Sequence, residues 1–223
     1  MIEANNPNLK TWLEVTQSSD FPIQNIPFGI AFIDNSKFGV SRIGDIVINL
    51  SKLYELGAFQ NILSENYFNK DFLNDFLKKK KSDWRSVRNR ISEIFTNENN
   101  KDKFSSALYD LQDVEMCMPV KVGDYTDFYS SRQHAYNVGC MFRDPDNALL
   151  PNWLHIPVGY HGRASSIILS GTDIYRPKGQ QLPLDAKAPV FGPCKLLDFE
   201  LEMAFITGEG KPLGDSISID EAE

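Results

Sequence analysis

The residues best suited to chemistry are gathered in one short run, from Asp124 to His134. The run holds two carboxylates, two phenols, an arginine and a histidine within eleven residues. An imidazole titrates near neutrality, so His134 is a candidate general base that takes a proton from water and returns it to a leaving group. An isolated histidine is more often a structural core residue. The neighbouring residues must therefore decide between the two interpretations.

A second group of chemical interest is acidic and lies in the segment Leu197–Met203, where apolar and acidic residues alternate. In a strand this alternation places Asp198, Glu200 and Glu202 on one face, with neighbouring carboxylates roughly 6.6 Å apart. Carboxylates at that spacing repel each other unless water or a cation screens them. A hard divalent cation with oxygen ligands resolves the repulsion. A solvent-exposed face of an antiparallel sheet is the alternative interpretation.

Several motifs in a fixed order resemble the fumarylacetoacetase family, also called the fumarylacetoacetate hydrolase family. The resemblance extends over nearly the whole chain and rests on a collinear series of segments, which is more specific than any single match. These segments are Ser19–Asn25, Arg42–Asp45, Asp124–Arg143, Asn147–Leu154, Gly159–Ser166, Arg176–Gln180 and Leu197–Met203. The resemblance implies a mainly β fold with some α. A small SH3-like β-barrel over residues 15–119 is then followed by the first part of a β-roll catalytic domain over residues 123–223.

The resemblance also implies a reaction, the hydrolysis of a carbon–carbon bond in a 1,3-diketo acid, with 4-fumarylacetoacetate as substrate. His134 becomes the general base, because the residues that flank it match the family motif. Asp127, Glu200 and Glu202 become the ligands of Ca²⁺ or Mg²⁺. Such an ion acts as a Lewis acid and orients the diketone. The choice between the two ions depends on ligand number and cavity size.

The substrate carboxylates need donors, and the family assigns this role to Tyr129, Arg143 and Tyr160. A guanidinium is a planar fork that matches a carboxylate, and a phenol donates one directed hydrogen bond. In isolation each of these residues would more often be a surface or packing residue. We expect His155 to be structural and His161 to lie near the site without acting in it.

Three alternatives to this function stay open. A relative of the same fold acts on acylpyruvates or decarboxylates related acids, although the residues ahead of Asp124 favour fumarylacetoacetase itself. A binding module without catalysis is the second alternative. A metal-dependent nuclease is the third, and the acidic balance and the lack of a lysine beside Glu200 and Glu202 argue against it.

Composition narrows the possible partners. The chain has 223 residues and a formal net charge of −7, which disfavours nucleic acid because phosphate binding needs a basic surface. Its three cysteines are widely spaced and predict reduced thiols in a cytoplasmic protein rather than disulfides. No apolar run approaches the roughly 20 residues of a membrane helix. We therefore expect a cytoplasmic protein with a small diketo acid as its partner, a homodimer when full length.

The elements that position these residues follow from periodicity and turn chemistry. Strands are predicted at Phe28–Ile33, around Phe38 and at Asp45–Leu50, with a turn near Asp34. Helices are predicted around Lys70–Lys80 and Ser82–Phe95, where apolar residues recur at helical spacing. From Gly123 onward the sequence predicts mostly strands and long loops.

The last residues, from Ser218 to Glu221, have the spacing of a helix capping box. The sequence stops two residues later, and the resemblance implies a catalytic domain that continues well beyond this point. We therefore expect this sequence to be the N-terminal part of a longer protein. The remainder would supply a further metal-binding aspartate, a lysine, a glutamine and a glutamate that partners the histidine.

Overall fold

The computed structural model describes residues 3–222, which divide into two compact units. Lys121–Ile168 form one unit, and the other described residues form the second. The described residues combine short antiparallel strands with helices, which confirms the predicted mixture of the two. Within the same residues, no helix is both long enough and apolar enough to cross a membrane.

The larger unit is built on a five-stranded antiparallel sheet. Its strands are β1 (Gly29–Ile33), β2 (Ser36–Ile43), β3 (Ile46–Asn49), β4 (Leu108–Asp110) and β5 (Glu115–Cys117). Their order across the sheet is β4-β3-β2-β1-β5. Within residues 3–222 no strand pairing joins β4 to β5, so the SH3-like barrel stays a prediction. The three strands predicted between residues 28 and 50 are confirmed as β1, β2 and β3.

The first hairpin owes its register to a two-residue turn. Ile33 pairs with Ser36, and the two residues between them, Asp34 and Asn35, have φ values of 48° and 66°. Positive φ at both central positions is the requirement of a type I′ turn, which matches the twist of paired strands. Asp and Asn tolerate this conformation better than most residues because their short polar side chains bond locally.

The second hairpin is held by the motif Arg42–Asp45. Gly44 turns the chain with φ of 58°, and its backbone N–H donates to the carbonyl of Phe21 at 2.8 Å. The Arg42 Nε donates to the Gly44 carbonyl at 2.7 Å, and its Nη2 lies 2.9 Å from Asp45 Oδ1. The same guanidinium stacks 3.9 Å from the centre of the Phe21 ring. This motif therefore fastens the turn to the preceding segment.

Four α-helices lie between β3 and β4, with turns and bends over residues 56–73. They are α1 (Leu50–Glu55), α2 (Asn74–Leu77), α3 (Lys81–Thr96) and α4 (Lys101–Phe104). The predicted second helix is confirmed as α3, which buries Val87, Ile91 and Ile94. The helix predicted over Lys70–Lys80 is shorter than expected, since only its α2 part is helical. Residues 70–73 form bends instead.

The core contains a connected series of aromatic rings. Phe59, Phe68 and Phe76 are completely buried, with centroids 5.6 Å apart for the first pair and 5.0 Å for the second. Phe28 extends the series to Phe76 at 5.3 Å. Buried aromatic side chains contribute large apolar areas, so this cluster is a main source of stability for the larger unit.

The C-terminal part of the larger unit contains the hairpin of β8 (Lys178–Gln181) and β9 (Val190–Pro193), and α6 (Ile219–Ala222). The predicted capping box is present, because the Ser218 N–H donates to Glu221 Oε2 at 3.0 Å. Lys211 lies 2.6 Å from the other oxygen of this carboxylate. The hydrogen bond from Lys211, with those from Ser218, holds the pKa of Glu221 below its usual value.

The strand predicted at Leu197–Met203 is wrong for the described residues, where this segment belongs to no strand. The Phe199 N–H donates to the neighbouring Asp198 side chain at 2.8 Å. A strand needs its backbone donors for a partner strand, and here one of them bonds locally instead.

The smaller unit consists of β6 (Thr126–Phe128), α5 (Arg132–Phe142) and β7 (Gly159–His161), with short 3₁₀ turns between α5 and β7. Its two strands pair in antiparallel fashion. Helix α5 is a departure from the prediction, which expected mostly strands and loops from Gly123 onward. Ser131 caps this helix, and its last turn packs closely on the following loop.

Candidate active site

A short two-stranded ribbon in the smaller unit carries three of the predicted site residues, Asp127, Tyr129 and Tyr160. Asp127 pairs directly with Tyr160 across β6 and β7. Backbone hydrogen bonds extend the ribbon by one residue at each end, from Gly162 to the Tyr125 carbonyl at 2.8 Å and from Tyr129 to the Val158 carbonyl at 2.7 Å. Side chains alternate along such a ribbon, so Tyr125, Asp127 and Tyr129 share one face with Tyr160.

The carboxylate of Asp127 is the centre of this face. Its Oδ2 accepts hydrogen bonds from the phenols of Tyr125 and Tyr160, both at 2.9 Å. Hydrogen bonds to an ionised acceptor are stronger than those between neutral groups. Asp127 is half-buried. Because two donors bind the same oxygen, they hold the carboxylate in one orientation. An oriented carboxylate is suited to hold a cation.

His134 lies in the first turn of α5, close to the same ribbon. Its backbone N–H donates to the Ser131 Oγ at 3.4 Å, the long hydrogen bond of an N-cap. Its imidazole stands nearly perpendicular to the Tyr129 ring, with centroids 5.2 Å apart and planes at 82°. This perpendicular contact places the candidate base beside a candidate substrate anchor.

The backbone carbonyl of Tyr129 is held by a residue outside the predicted site. Trp153 donates from its indole Nε1 to the Tyr129 carbonyl at 2.8 Å. Tyr125 was likewise not assigned a role, although its spacing from Asp127 would have placed both on one face of a strand. The alternation over residues 125, 127 and 129 was thus the signal available in the sequence.

Arg143 ends α5, and two of its donors hold the loop that follows. Its Nε and Nη2 lie 3.3 and 3.1 Å from the Ala148 carbonyl oxygen. Gly139 packs against the same residue, and a Cβ at this position would lie 2.8 Å from the Ala148 carbonyl carbon. A guanidinium has five N–H donors, so this structural contact leaves room for a substrate carboxylate.

The two other histidines of the smaller unit, His155 and His161, are exposed. His161 Nε2 is 3.6 Å from Asp124 Oδ1, and both side chains are largely exposed. His155 follows a 3₁₀ turn and is also exposed.

On α5, a hydrogen bond with Cys140 is the largest of the causes that raise the pKa of Tyr136.

The structure thus brings Asp127, Tyr129, His134 and Tyr160 together on one small unit, and it places Arg143 at the end of the helix that carries His134. Glu200 and Glu202 belong to the other unit, where their side chains are exposed. The three carboxylates supply hard oxygen donors, the ligands that Ca²⁺ and Mg²⁺ take. All three cysteines, Cys117, Cys140 and Cys194, are free thiols, as expected from their spacing.

Comparison with known proteins shows which family the chain resembles. Residues 24–119 match the family model described as fumarylacetoacetase N-terminal. The chain is 45% identical to a fumarylacetoacetase of Dictyostelium discoideum over 96% of its own length and 53% of the relative's. It is 45% identical to that of Homo sapiens over 95% of this chain, and 41% identical to that of Arabidopsis thaliana over 96%.

The matches are thus collinear with nearly the whole sequence, and they include the ribbon and the helix that carry the candidate site. The chain belongs to the fumarylacetoacetase family. It spans about half the length of the curated relatives that it matches.

Proposed function

We propose that the protein to which this chain belongs hydrolyses 4-fumarylacetoacetate to fumarate and acetoacetate, the last step of tyrosine and phenylalanine breakdown. The observation that carries the proposal is the grouping of His134, Tyr129, Asp127 and Tyr160 on one unit of a chain whose relatives are fumarylacetoacetases. In this reaction water adds to a carbonyl carbon, the adjacent carbon–carbon bond breaks, and the leaving carbon takes up a proton.

His134 acts as the general base in the proposed mechanism. It takes a proton from the attacking water and returns it to the carbon of the leaving enolate, so that no net proton is consumed between the two steps. The contact with the Tyr129 ring restricts the orientation of the imidazole. A restricted base needs less reorganisation to reach the water.

Tyr129, Tyr160 and Arg143 bind the substrate carboxylates in this proposal. The phenols each donate one hydrogen bond, and the guanidinium donates from the side opposite its contact with Ala148. These groups fix the position of the scissile bond relative to His134. Positioning of this kind lowers the entropic part of the barrier.

Asp127, Glu200 and Glu202 are proposed to hold Ca²⁺ or Mg²⁺. Their oxygen donors fit either ion, and the two phenols on Asp127 hold that carboxylate ready. A bound divalent ion would supply Lewis acidity for the diketone oxygens.

The proposal further includes a homodimer in the cytoplasm, an SH3-like barrel over residues 15–119 and a β-roll that begins at residue 123.

The test is turnover by the protein encoded by the complete reading frame, followed as the loss of diketone absorbance of fumarylacetoacetate. Fumarate and acetoacetate should appear in equal amounts, and chelation of divalent ions should lower the rate. An acylpyruvate is the control substrate. Faster turnover of the acylpyruvate would contradict the substrate assignment, and no turnover of either would favour a binding module.

A further inference from the structure

We infer that Tyr125 is a positioning residue that keeps the Asp127 carboxylate oriented while Tyr160 exchanges from Asp127 to the substrate. The inference rests on the proposed function, in which Asp127 holds a cation and Tyr160 contacts the substrate. It assigns a role to Tyr125, and it gives different roles to two phenols that both donate a hydrogen bond to Asp127.

The two phenols need different roles because each has only one proton to donate. Tyr125 and Tyr160 both donate to Asp127 Oδ2 at 2.9 Å. A phenol has a single O–H proton to donate. When Tyr160 donates to a substrate oxygen, it gives up its bond to Asp127. One donor must then hold the carboxylate during the reaction.

Tyr125 is the residue whose position is fixed by its surroundings. Its carbonyl oxygen accepts from the Gly162 N–H at 2.8 Å, which anchors its backbone to the opposite strand. Its ring lies directly over Gly162, where a Cβ would overlap the ring carbons. Glycine at this position therefore creates the space in which the Tyr125 ring packs.

Tyr160 has the opposite character. Tyr160 is 56% exposed, whereas Tyr125 is half-buried. An exposed phenol changes its hydrogen-bond partner at lower cost than one packed over backbone, because less contact area is lost. The geometry thus separates a fixed donor from an exchangeable one on the same carboxylate oxygen.

Tyr125→Phe tests the inference, since it removes the hydroxyl and keeps the ring over Gly162. The binding of Ca²⁺ and of Mg²⁺ to the full-length protein is measured by titration calorimetry, without substrate. We expect Tyr125→Phe to weaken the binding about tenfold, as is common when a group that orients a metal ligand is lost. We expect Tyr160→Phe to act mainly on KM and to weaken cation binding less than Tyr125→Phe does.

Tyr109→Phe is the matched control, because Tyr109 also donates to a carboxylate at 3.3 Å, and that carboxylate, Asp34, is not one of the proposed cation ligands. We expect it to leave cation affinity unchanged. Gly162→Ala is a second variant that displaces the Tyr125 ring, and it should weaken cation binding in the same direction. The thermal unfolding midpoint without cation is measured for each variant to separate orientation from stability.

Two results overturn the inference and can be told apart. If Asp127→Asn weakens cation binding while Tyr125→Phe binds as tightly as the wild type, the positioning role is wrong and the proposed function stands. The positioning role is also wrong if Tyr125→Phe lowers the unfolding midpoint but leaves the cation affinity unchanged. If Asp127→Asn leaves affinity unchanged, the proposed ligand role of Asp127 fails, and the inference fails with it.

Discussion

The imidazole of His134 and the ring of Tyr129 meet at 82°, with their centroids 5.2 Å apart. The two residues come from different elements, since Tyr129 follows β6 and His134 lies in the first turn of α5. Perpendicular aromatic pairs contribute about 0.5–1.5 kcal/mol beyond the area that they bury. This contact therefore couples the orientation of the candidate base to Tyr129, which lies just before the N-cap of its helix.

Two substitutions at Tyr129 separate its ring from its hydroxyl. Tyr129→Phe keeps the contact with His134 and loses only the phenolic donor, so we expect KM to rise about tenfold with little change in kcat. Tyr129→Ala removes the ring and should lower kcat at least about tenfold, because His134 loses its support. Steady-state kinetics of the full-length protein with fumarylacetoacetate measure both constants. Equal loss of kcat in the two variants would contradict the orienting role of the ring.

Gly139→Ala tests the close approach at the end of α5. Alanine usually favours a helix over glycine by about 1 kcal/mol, but here the added Cβ meets the Ala148 carbonyl group. The clash should outweigh the propensity and lower the free energy of unfolding by about 1–3 kcal/mol. Urea unfolding measures the change. Gly123→Ala is the control, because a Cβ at Gly123 meets no atom within 4 Å; equal effects of the two variants would refute the packing argument.

Phe76→Ala tests the aromatic cluster of the larger unit. Phe76 is 1% exposed and contacts both Phe28 and Phe68. Its truncation should cost about 3–5 kcal/mol of unfolding free energy, because it removes buried area and leaves a cavity. Phe199→Ala is the control at a side chain that is 89% exposed, and its effect should stay within about 0.5 kcal/mol. Both are measured by chemical denaturation, and similar losses would show that the cluster is not central.

A pH dependence follows from Tyr109. Burial and the neighbouring Asp34 raise the pKa of this phenol. The folded state then holds the proton more tightly than the unfolded state, so the stabilisation is complete below about pH 10 and is lost as the pH rises through the folded pKa. Compared with Tyr109→Phe, the wild type should lose more stability above about pH 10. Urea midpoints measured across this range for both proteins give the comparison, and parallel curves would exclude the effect.

The fold was predictable where local chemistry determines it. Asp34 and Asn35 form the turn that their residue types favour, and the helical spacing of Val87, Ile91 and Ile94 marks the buried face of α3. Ser218 and Glu221 make the predicted hydrogen bond of a capping box. In each case the signal and the interaction lie within a few residues of each other.

The parts that were missed depend on what packs against or pairs with a segment, which its own pattern does not give. Helix α5 contains Tyr136, Asn137 and Gly139, which weaken a helical pattern, and its last turn is accommodated by the loop at Ala148. The alternation of Leu197–Met203 predicted a strand, but within residues 3–222 the segment is part of none. A period of two indicates a strand only where a partner strand is available.

The membership of the candidate site stays a prediction from the sequence, and the structure adds the arrangement of its residues in the smaller unit. The motif around His134 contains Asp127, Tyr129 and His134, and the ribbon pairs Asp127 with Tyr160. The spacing of Tyr125 from Asp127 could have placed both on one face of a strand, but the support of Tyr129 by Trp153 needed the three-dimensional structure. The attachment of Arg143 to the Ala148 carbonyl likewise could not be read from residue types alone.

The most direct test of the account is the kcat of His134→Gln in the full-length protein, measured as loss of diketone absorbance. Glutamine preserves polarity and approximate size but cannot accept a proton near neutral pH, so kcat should fall by about 10²–10⁴-fold. His155→Gln, at an exposed position outside the proposed site, should retain wild-type kcat. A His134→Gln variant that folds normally and keeps kcat within about threefold of the wild type would contradict the assignment of His134 as the general base.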